Sequence, residues 1–284
     1  MKRLITAAFL ALAAFPAAAQ TRAEIDTSVE RAGVSVGDVE VRLFSEPDPS
    51  DATMRVPHAE IRESGAVVLK ASEPDAMGEK PYAAARFAEI DPGNATIEVV
   101  LTTYSGGAHC CSTVKVATKT ADGWKLVSVG TFDGSGDYLE DADADGQFEV
   151  VTVDNRFLYA FDCYACSYAP LQMFEIKDGV MRDASRDPRF VDRHKSWLEE
   201  MRRQAKEQEA ENSAGVLAGE VAIRLMAGEG QATIRDFDKR VKAAKVEPVL
   251  NCPDNAADCA DDQRTSTPFS VAVKQFLKAN GYDF

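Results

Sequence analysis

The central third of the chain contains two copies of one sequence pattern, and this repeat limits the fold more than any other feature. Residues Glu89–Val100 align with Glu140–Val151 at an offset of 51 residues. Each copy continues through strand-like runs to an Asp-Gly pair, at Asp122-Gly123 and at Asp178-Gly179, and this pair is a strong hairpin signal. Strand-rich repeats of about 50 residues are typical of propeller blades or stacked β units. The sequence therefore predicts an antiparallel β region that is built on two propeller-blade-like repeats.

The acidic turn of the second copy carries the clearest chemistry in the chain. Its sequence, Asp141-Ala-Asp-Ala-Asp-Gly-Gln-Phe-Glu149, has carboxylates at positions 1, 3, 5 and 9 and glycine at position 6. Alternate oxygens in a tight turn converge on a hard cation, and glycine permits the sharp bend. An EF-hand would also need Glu at position 12, which is Thr152 here, within a strand-like run. The spacing predicts a Ca²⁺ site at the entrance to a strand.

Residues 141–149 resemble the calcium loop of FG-GAP repeats, as in the propeller of integrin α-chains, where Asp-x-Asp-x-Asp-Gly-x-x-Asp leads into a strand. The resemblance covers about 15 residues closely and the 50-residue unit loosely. Glu149 departs from the aspartate of that family and has a longer side chain. The ligands that the resemblance implies are the side chains of Asp141, Asp143, Asp145 and Glu149 and the backbone carbonyl of Gln147.

The equivalent turn of the first copy is expected to be an ordinary acidic turn. It keeps Glu89, Asp91 and Glu98 but places Pro92 and Ala95 where ligand geometry would be needed. Only the second copy is therefore expected to bind an ion, with a dissociation constant on the order of 10⁻⁴–10⁻³ M, as in extracellular modules.

The six cysteines are expected to form three disulfides, since their even number suits an oxidising compartment. They are Cys110, Cys111, Cys163, Cys166, Cys252 and Cys259. Cys252 and Cys259 flank a short polar loop, which favours a local bridge. The other four are expected to form two cross-links between the adjacent pair and the Cys-x-x-Cys pair, each worth roughly 4 kcal/mol in lost chain entropy. The pairing within this group stays open.

Two functional interpretations of the cysteines, a redox site and a zinc site, are alternatives to structural disulfides. Cys163 and Cys166 match a redox motif, but the helix that such a motif opens is missing, since a strand-like run follows Pro170. A zinc site formed by His109, one of the adjacent cysteines, Cys163 and Cys166 has an acceptable ligand set, although oxidation competes with it outside the cytoplasm. We favour structural disulfides.

The N-terminus predicts export through a cleaved signal peptide of residues 1–19. Lys2 and Arg3 precede the apolar run Leu4–Phe15, and Ala17–Ala19 supplies a cleavage site. This run is too short to cross a membrane, and no later stretch approaches the necessary length of about 18 apolar residues. Periplasmic localisation is the expectation.

The remaining chain is strongly acidic. The whole sequence has 32 basic and 46 acidic residues, so loss of Lys2 and Arg3 changes its formal charge from −14 to −16. This balance argues against nucleic acid as a partner, because phosphates are held mainly by Lys and Arg.

The distribution of patterns predicts an α+β fold. Residues 20–187 are expected to form the β-rich repeat domain, with the short strands of residues 36–90 as an additional layer. Residues 188–284 carry apolar stripes at helical spacing and are expected to form an α-helical region. The segments Ser105–Cys111 and Phe276–Tyr282 together resemble exported bacterial proteins, which implies a compartment but no reaction.

We assign no catalytic residue from the sequence, and the leading function is a non-enzymatic binding or structural module. The three histidines include His109 beside Ser105 and Ser112, but no Gly-x-Ser-x-Gly nucleophile motif is present. The alternatives are a thiol-disulfide oxidoreductase that uses Cys163 and Cys166, or an acidic inhibitor of a basic secreted enzyme. The partner is expected to be an unidentified protein or component of the cell envelope.

Overall fold

The computed structural model describes residues 21–26, 28–134, 136–252 and 259–284, with the backbone alone at residues 110 and 261. The predicted signal peptide lies outside these residues. The strands are β1 (Arg22–Ile25), β2 (Arg31–Val36), β3 (Val39–Pro47), β4 (Arg55–Glu63), β5 (Ala66–Ser72), β6 (Tyr82–Ala88), β7 (Glu98–Tyr104), β8 (Cys110–Thr120), β9 (Gly123–Asp133), β10 (Leu139–Glu140), β11 (Glu149–Val153), β12 (Leu171–Lys177), β13 (Val180–Asp183), β14 (Val249–Asn251) and β15 (Thr265–Thr267). The helices are α1 (Val191–Glu207), α2 (Ala214–Met226), α3 (Gln231–Ala244) and α4 (Phe269–Ala279).

The strands form three antiparallel sheets and one small hairpin. The N-terminal sheet has the order β2-β3-β4-β5, the first repeat sheet β1-β6-β7-β8-β9 and the second repeat sheet β10-β11-β12-β13. Strands β14 and β15 pair separately. Apart from β1, which joins the edge of β6, each sheet follows the chain order, because short hairpin connections favour antiparallel neighbours.

The three sheets stack in layers, so the central sheet is apolar on both faces. Val99 and Leu101 of β7 pack into a core shared with the N-terminal sheet. Val100, between them, belongs to the core shared with Val150 and Phe174 of the second repeat sheet. This division follows from the alternation of side chains along a strand, and it explains why three consecutive residues of β7, Val99, Val100 and Leu101, are all apolar.

The helices complete the stack on the far side of the second repeat sheet. Val151 and Met173 of that sheet share a core with Phe190, which immediately precedes α1. Most of α2 is buried, and α3 and α4 close a second core over Phe157. The fold is therefore α+β, as predicted, with antiparallel sheets followed by four helices in the described part of the chain.

The repeated pattern corresponds to the two repeat sheets, and the second hairpin lies where the sequence predicts it. Asp178 and Gly179, with φ of 52° and 69°, form the two-residue turn between the paired residues Lys177 and Val180. In the first repeat, Gly123 already pairs with Thr120, so the turn lies one residue earlier than expected. Within the described residues, the sheets are layered and form no closed propeller.

Candidate functional site

The acidic loop of the second repeat joins β10 to β11, since Glu140 pairs with Glu149 across its base. Inside the loop, the amides of Asp145 and Gly146 donate to the Asp141 carboxylate at 3.0 and 3.1 Å. Gly146 has φ of 92°, a conformation that favours glycine because it has no Cβ. These bonds fold the loop around its own carboxylates.

Three of the predicted ligands lie together in this loop. Carboxylate oxygens of Asp141, Asp143 and Glu149 are all within 4.8 Å of one another. The carboxylate of Asp145 is outside this group and more exposed. The arrangement offers oxygens from two aspartates and one glutamate to a hard cation, while the coordinating roles of all five predicted ligands, Gln147 included, stay predictions.

Glu149 is the buried member of the group, with 2% of its surface exposed. Burial raises its pKa to about 7, and the negative charges of Asp143, Asp145 and Glu175 add to this effect. One hydrogen bond opposes it, from the Ala142 amide at 2.9 Å. A cation beside Glu149 would favour the ionised form.

Arg189 is a cation of the chain itself that contacts the loop. Its guanidinium Nη1 lies 2.9 Å from Oδ2 of Asp143 and 3.9 Å from Oδ2 of Asp145. It also pairs with Glu175 and Asp187, and these carboxylates raise the pKa of Arg189. Because Arg189 is in the 3₁₀ turn before α1, it connects the loop to the start of the helical region.

No sequence pattern predicts Arg189 or Glu175 at this site. Arg189 is 46 residues from Asp143, so no local spacing joins them. Only the packing of α1 against the second repeat sheet brings the guanidinium to the loop. Arg189 lies shortly before a predicted helix, but that position alone does not indicate a contact with Asp143.

In the acidic loop of the first repeat, hydrogen bonds surround the carboxylates of Asp91 and Glu98. Glu98 has no exposed surface and accepts from the amides of Ile90 and Asp91, both at 3.0 Å. Its other oxygen accepts from the Asn94 side chain at 3.0 Å and the Thr118 hydroxyl at 3.1 Å. Four donors therefore serve this one carboxylate.

Asp91 of the same loop is equally enclosed. Burial alone would raise its pKa, but hydrogen bonds from Gly179, Gly93, Asp178 and Thr118 outweigh burial and lower it. The amides of Asp178 and Gly179, at 2.9 and 2.8 Å, come from the hairpin of the second repeat sheet. This loop is thus part of the contact between the two repeats.

One hydrogen bond is common to both loops and relates them structurally. The Asp91 amide donates to Oε2 of Glu98, and the Ala142 amide donates to Oε2 of Glu149. The two amides and the two glutamates are each separated by the repeat offset of 51 residues. The repeat therefore extends to the position of a buried glutamate at the start of a strand.

The expected cross-links between the two cysteine pairs are wrong. Cys163 bonds to Cys166 within one short turn, where their Cα atoms are 5.0 Å apart. A 3₁₀ turn at Tyr164–Cys166 supplies this proximity, which the sequence analysis did not anticipate. The two cysteine loops meet instead through the rings of His109 and Tyr164, whose centroids are 4.1 Å apart.

The remaining disulfide assignments divide into a confirmed pair and an open one. Cys252–Cys259 forms the expected local bridge. Cys111 is disulfide-bonded, whereas the Cys110 side chain lies outside the described residues. Because the sulfurs of Cys163 and Cys166 are joined, they are not free to hold zinc in this state.

Comparison with known proteins identifies one family match in the helical part. The family described as the sll0997 C-terminal domain matches residues 194–281. These residues include most of α1 and all of α2 to α4. No solved structure matches the chain.

Two relatives cover most of this chain. A probable thylakoid lumen protein from Synechocystis, sll0997, is 33% identical over 212 residues, which are 71% of this chain and 61% of that protein. A protein from Sinorhizobium fredii, y4bJ, is 28% identical over 242 residues, which are 82% of this chain and 38% of that protein. The chain thus spans less than two thirds of either relative.

Among the described residues, no helix combines the length and the apolar character needed to cross a bilayer.

Proposed function

We propose that this protein is an exported, non-enzymatic binding or structural module, stabilised by disulfides and by one Ca²⁺ in the loop Asp141–Glu149. The observation that carries the proposal is the convergence of three carboxylates, from Asp141, Asp143 and Glu149, within 4.8 Å. The spacing of the loop sequence and its resemblance to the calcium loop of FG-GAP repeats support the same ion.

The electrostatics of the loop favour a bound cation. Two like charges about 5 Å apart repel by roughly 3 kcal/mol at the effective dielectric constant of about 20 that suits protein sites. Glu149 accepts one amide hydrogen bond from its own loop, whereas the equivalent Glu98 accepts two amide and two side-chain bonds. A divalent ion beside Glu149 would stabilise its carboxylate in place of the hydrogen bonds that Glu98 accepts, since Ca²⁺ binds carboxylate oxygens.

The blade-like character of the repeats belongs to the same proposal. Each repeat sheet contains a four-stranded antiparallel meander, β6–β9 or β10–β13, and carries its acidic loop directly before a strand. In this arrangement, the ion rigidifies a surface loop between the second repeat sheet and α1. That junction is where we place the binding or structural role.

The compartment is proposed on two grounds. Residues 1–19 have the sequence of a signal peptide, and one relative is named as a probable thylakoid lumen protein. Local disulfides at Cys163–Cys166 and Cys252–Cys259 suit an oxidising compartment. We infer the periplasm, with a protein or envelope component as the partner.

Isothermal titration calorimetry tests the ion. We expect the purified protein at pH 7.5 to bind one Ca²⁺ with a dissociation constant on the order of 10⁻⁴–10⁻³ M. Asp143→Asn should abolish binding, while Asp122→Asn, an exposed acid in the first repeat, should leave it unchanged. Equal binding by both variants would move the ion away from this loop.

A pull-down from envelope extract tests the binding role. The protein should retain a specific partner in 2 mM CaCl₂ and lose it in EDTA, and Asp143→Asn should lose the partner in both buffers. Identical profiles for the wild type and Asp143→Asn would leave the ion without a part in binding.

A further inference from the structure

The Cys163–Cys166 disulfide lies in a surface turn whose backbone is held by other contacts. The Cys166 amide donates to the Cys163 carbonyl at 3.0 Å. The Ser167 hydroxyl donates to the same carbonyl at 2.9 Å and accepts from the Tyr159 amide at 3.1 Å. These bonds form the turn independently of the sulfur–sulfur bond.

Helix α2 holds the same segment from its other side. A Cβ at Gly215 would lie 2.0 Å from the carbonyl oxygen of Cys166, and one at Gly219 would lie 2.4 Å from that of Tyr168. The two glycines therefore let the segment lie directly on the helix. A disulfide that closes so short a loop adds the least to stability, because loop-closure entropy grows with loop length.

The two cysteine residues differ in exposure. Cys163 is exposed, whereas Cys166 is partly buried beside α2. A carboxylate oxygen of Asp162 lies within 4.8 Å of both sulfurs. Asp162 accepts the amides of Cys163 at 2.9 Å and of Gly215 at 3.2 Å, so it links the disulfide to the first turn of α2.

Two tyrosine rings lie close to Cys163 along the chain. Tyr159 is 64% exposed, and its ring centroid is 5.5 Å from that of Tyr164, which contacts His109. Tyrosine rings supply apolar contact area with a polar edge, which suits a peptide chain.

Beyond the module proposed above, we propose that Cys163–Cys166 is a thiol–disulfide exchange site that oxidises dithiol peptides stoichiometrically, with Cys163 as the sulfur that is attacked. A thiolate of the peptide attacks Sγ of Cys163, the Cys163–Cys166 bond breaks, and Cys166 leaves as a thiolate that takes a proton from water. The second peptide thiolate then attacks the peptide sulfur of the mixed disulfide and releases Cys163, which is also protonated. The peptide loses two electrons and two protons, and the cysteine pair gains them.

Asp162 acts as a positioning residue that sets the charge beside the sulfurs. A negative carboxylate disfavours a neighbouring thiolate, so it opposes reduction of the disulfide and limits the site to peptides whose dithiols are more strongly reducing. Asp162→Asn removes the charge and keeps one acceptor oxygen, which can serve either the Cys163 amide or the Gly215 amide. In the reduced protein, this variant should lower the pH at which Cys163 becomes half-maximally reactive towards iodoacetamide by roughly 1 unit.

The activity test uses the full chain and a synthetic peptide with two cysteines beside a phenylalanine. Under anaerobic conditions, one equivalent of oxidised protein should oxidise the peptide at least ten-fold faster than the Cys163→Ser/Cys166→Ser variant does. Cys252→Ser/Cys259→Ser is the matched control, because it removes the other local disulfide, and it should react as the wild type does. Equal rates for the wild type and the first variant, or loss of activity in the control, would overturn the proposal.

Single variants test which sulfur is attacked and do not depend on the double variant folding. Reduced Cys166→Ser should form a mixed disulfide with a thiopyridyl-activated peptide at least ten-fold faster than reduced Cys163→Ser. The reverse order, or no difference, would contradict the assignment of Cys163.

Discussion

The acidic loops of the two repeats each place a buried glutamate at the start of a strand, but they neutralise it differently. Glu98 in the first loop accepts hydrogen bonds from two amides, an asparagine and a threonine. Glu149 in the second accepts one amide bond within a group of carboxylates that Arg189 contacts at Asp143. The comparison shows that one backbone arrangement can enclose a complete hydrogen-bond network or leave negative charge for a cation.

The pKa values express the same contrast. Hydrogen bonds from the second repeat hairpin lower the pKa of Asp91 despite its burial. In the second loop, burial and neighbouring carboxylates raise the pKa of Glu149 to about 7. The first loop therefore stabilises Asp91 in the ionised form, and the second leaves Glu149 close to half-protonated at neutral pH.

Replacing each glutamate by glutamine should have the largest effect on the free energy of unfolding and should distinguish the two loops most clearly. Glu98→Gln replaces one acceptor oxygen by an NH₂ group, which then faces hydrogen-bond donors. This change should lower the free energy of unfolding by roughly 4 kcal/mol. Glu149→Gln removes repulsion and keeps an oxygen for the Ala142 amide, so in EDTA it should raise the free energy of unfolding by roughly 3 kcal/mol. Urea unfolding at pH 7.5 measures both. Similar losses would mean that the two glutamates have the same environment.

The pH dependence of stability should identify Glu149 in the calcium-free protein. Its pKa is higher in the folded protein than its usual value of 4.5, so its protonated form favours folding. This contribution is complete below pH 4.5 and is lost as the pH rises to about 7. The unfolding free energy of the wild type relative to Glu149→Gln should fall by about 2–3 kcal/mol over this range in EDTA. A constant difference would contradict the raised pKa.

Removing Arg189 tests whether its guanidinium competes with Ca²⁺ for the carboxylates of the second loop. Arg189→Gln should tighten Ca²⁺ binding roughly five-fold, about 1 kcal/mol, because no competing cation contacts Asp143. Arg182→Gln is the matched control, since Arg182 pairs with Glu175 and Asp187. Calorimetric titration of both variants distinguishes competition from a general loss of positive charge. Weaker binding by Arg189→Gln would show that the guanidinium supports the site.

The smallest effect is expected at the glycine of the loop. Gly146 has φ of 92°, so Gly146→Ala should cost about 1 kcal/mol of unfolding free energy by straining the backbone. Gly136→Ala is the control, because a Cβ there has no neighbour within 4 Å. Chemical unfolding in EDTA compares the two variants. Equal stabilities would show that the turn relaxes without cost.

The sequence predicted the features that depend on local pattern. The offset between Glu89–Val100 and Glu140–Val151 located the two repeat sheets, and Asp178-Gly179 located a hairpin. Apolar stripes at helical spacing located the helices after residue 190, because one buried face at that spacing is enough to identify a helix. The short loop between Cys252 and Cys259 was enough to predict their bridge.

The features that the sequence did not predict depend on distant packing or on an unrecognised turn. The contact of Arg189 with Asp143 exists because α1 packs on the second repeat sheet. Two of the donors to Asp91 are the amides of residues 178 and 179, more than 80 positions away. The Cys163–Cys166 bond required a 3₁₀ turn in a segment where no regular helix was expected.

Thermal unfolding of the protein in 5 mM CaCl₂ and in EDTA tests the central claim most directly. An ion that binds only the folded state stabilises it by RT ln(1 + [L]/Kd), which is about 1.4 kcal/mol for a Kd of about 0.5 mM. For a chain of this size, the midpoint should rise by roughly 3–6 °C. We predict that the rise is specific for Ca²⁺ over Mg²⁺, disappears in Asp143→Asn and persists in Asp122→Asn. An unchanged midpoint, or an equal rise in Asp143→Asn, would contradict the assignment of an ion to Asp141–Glu149.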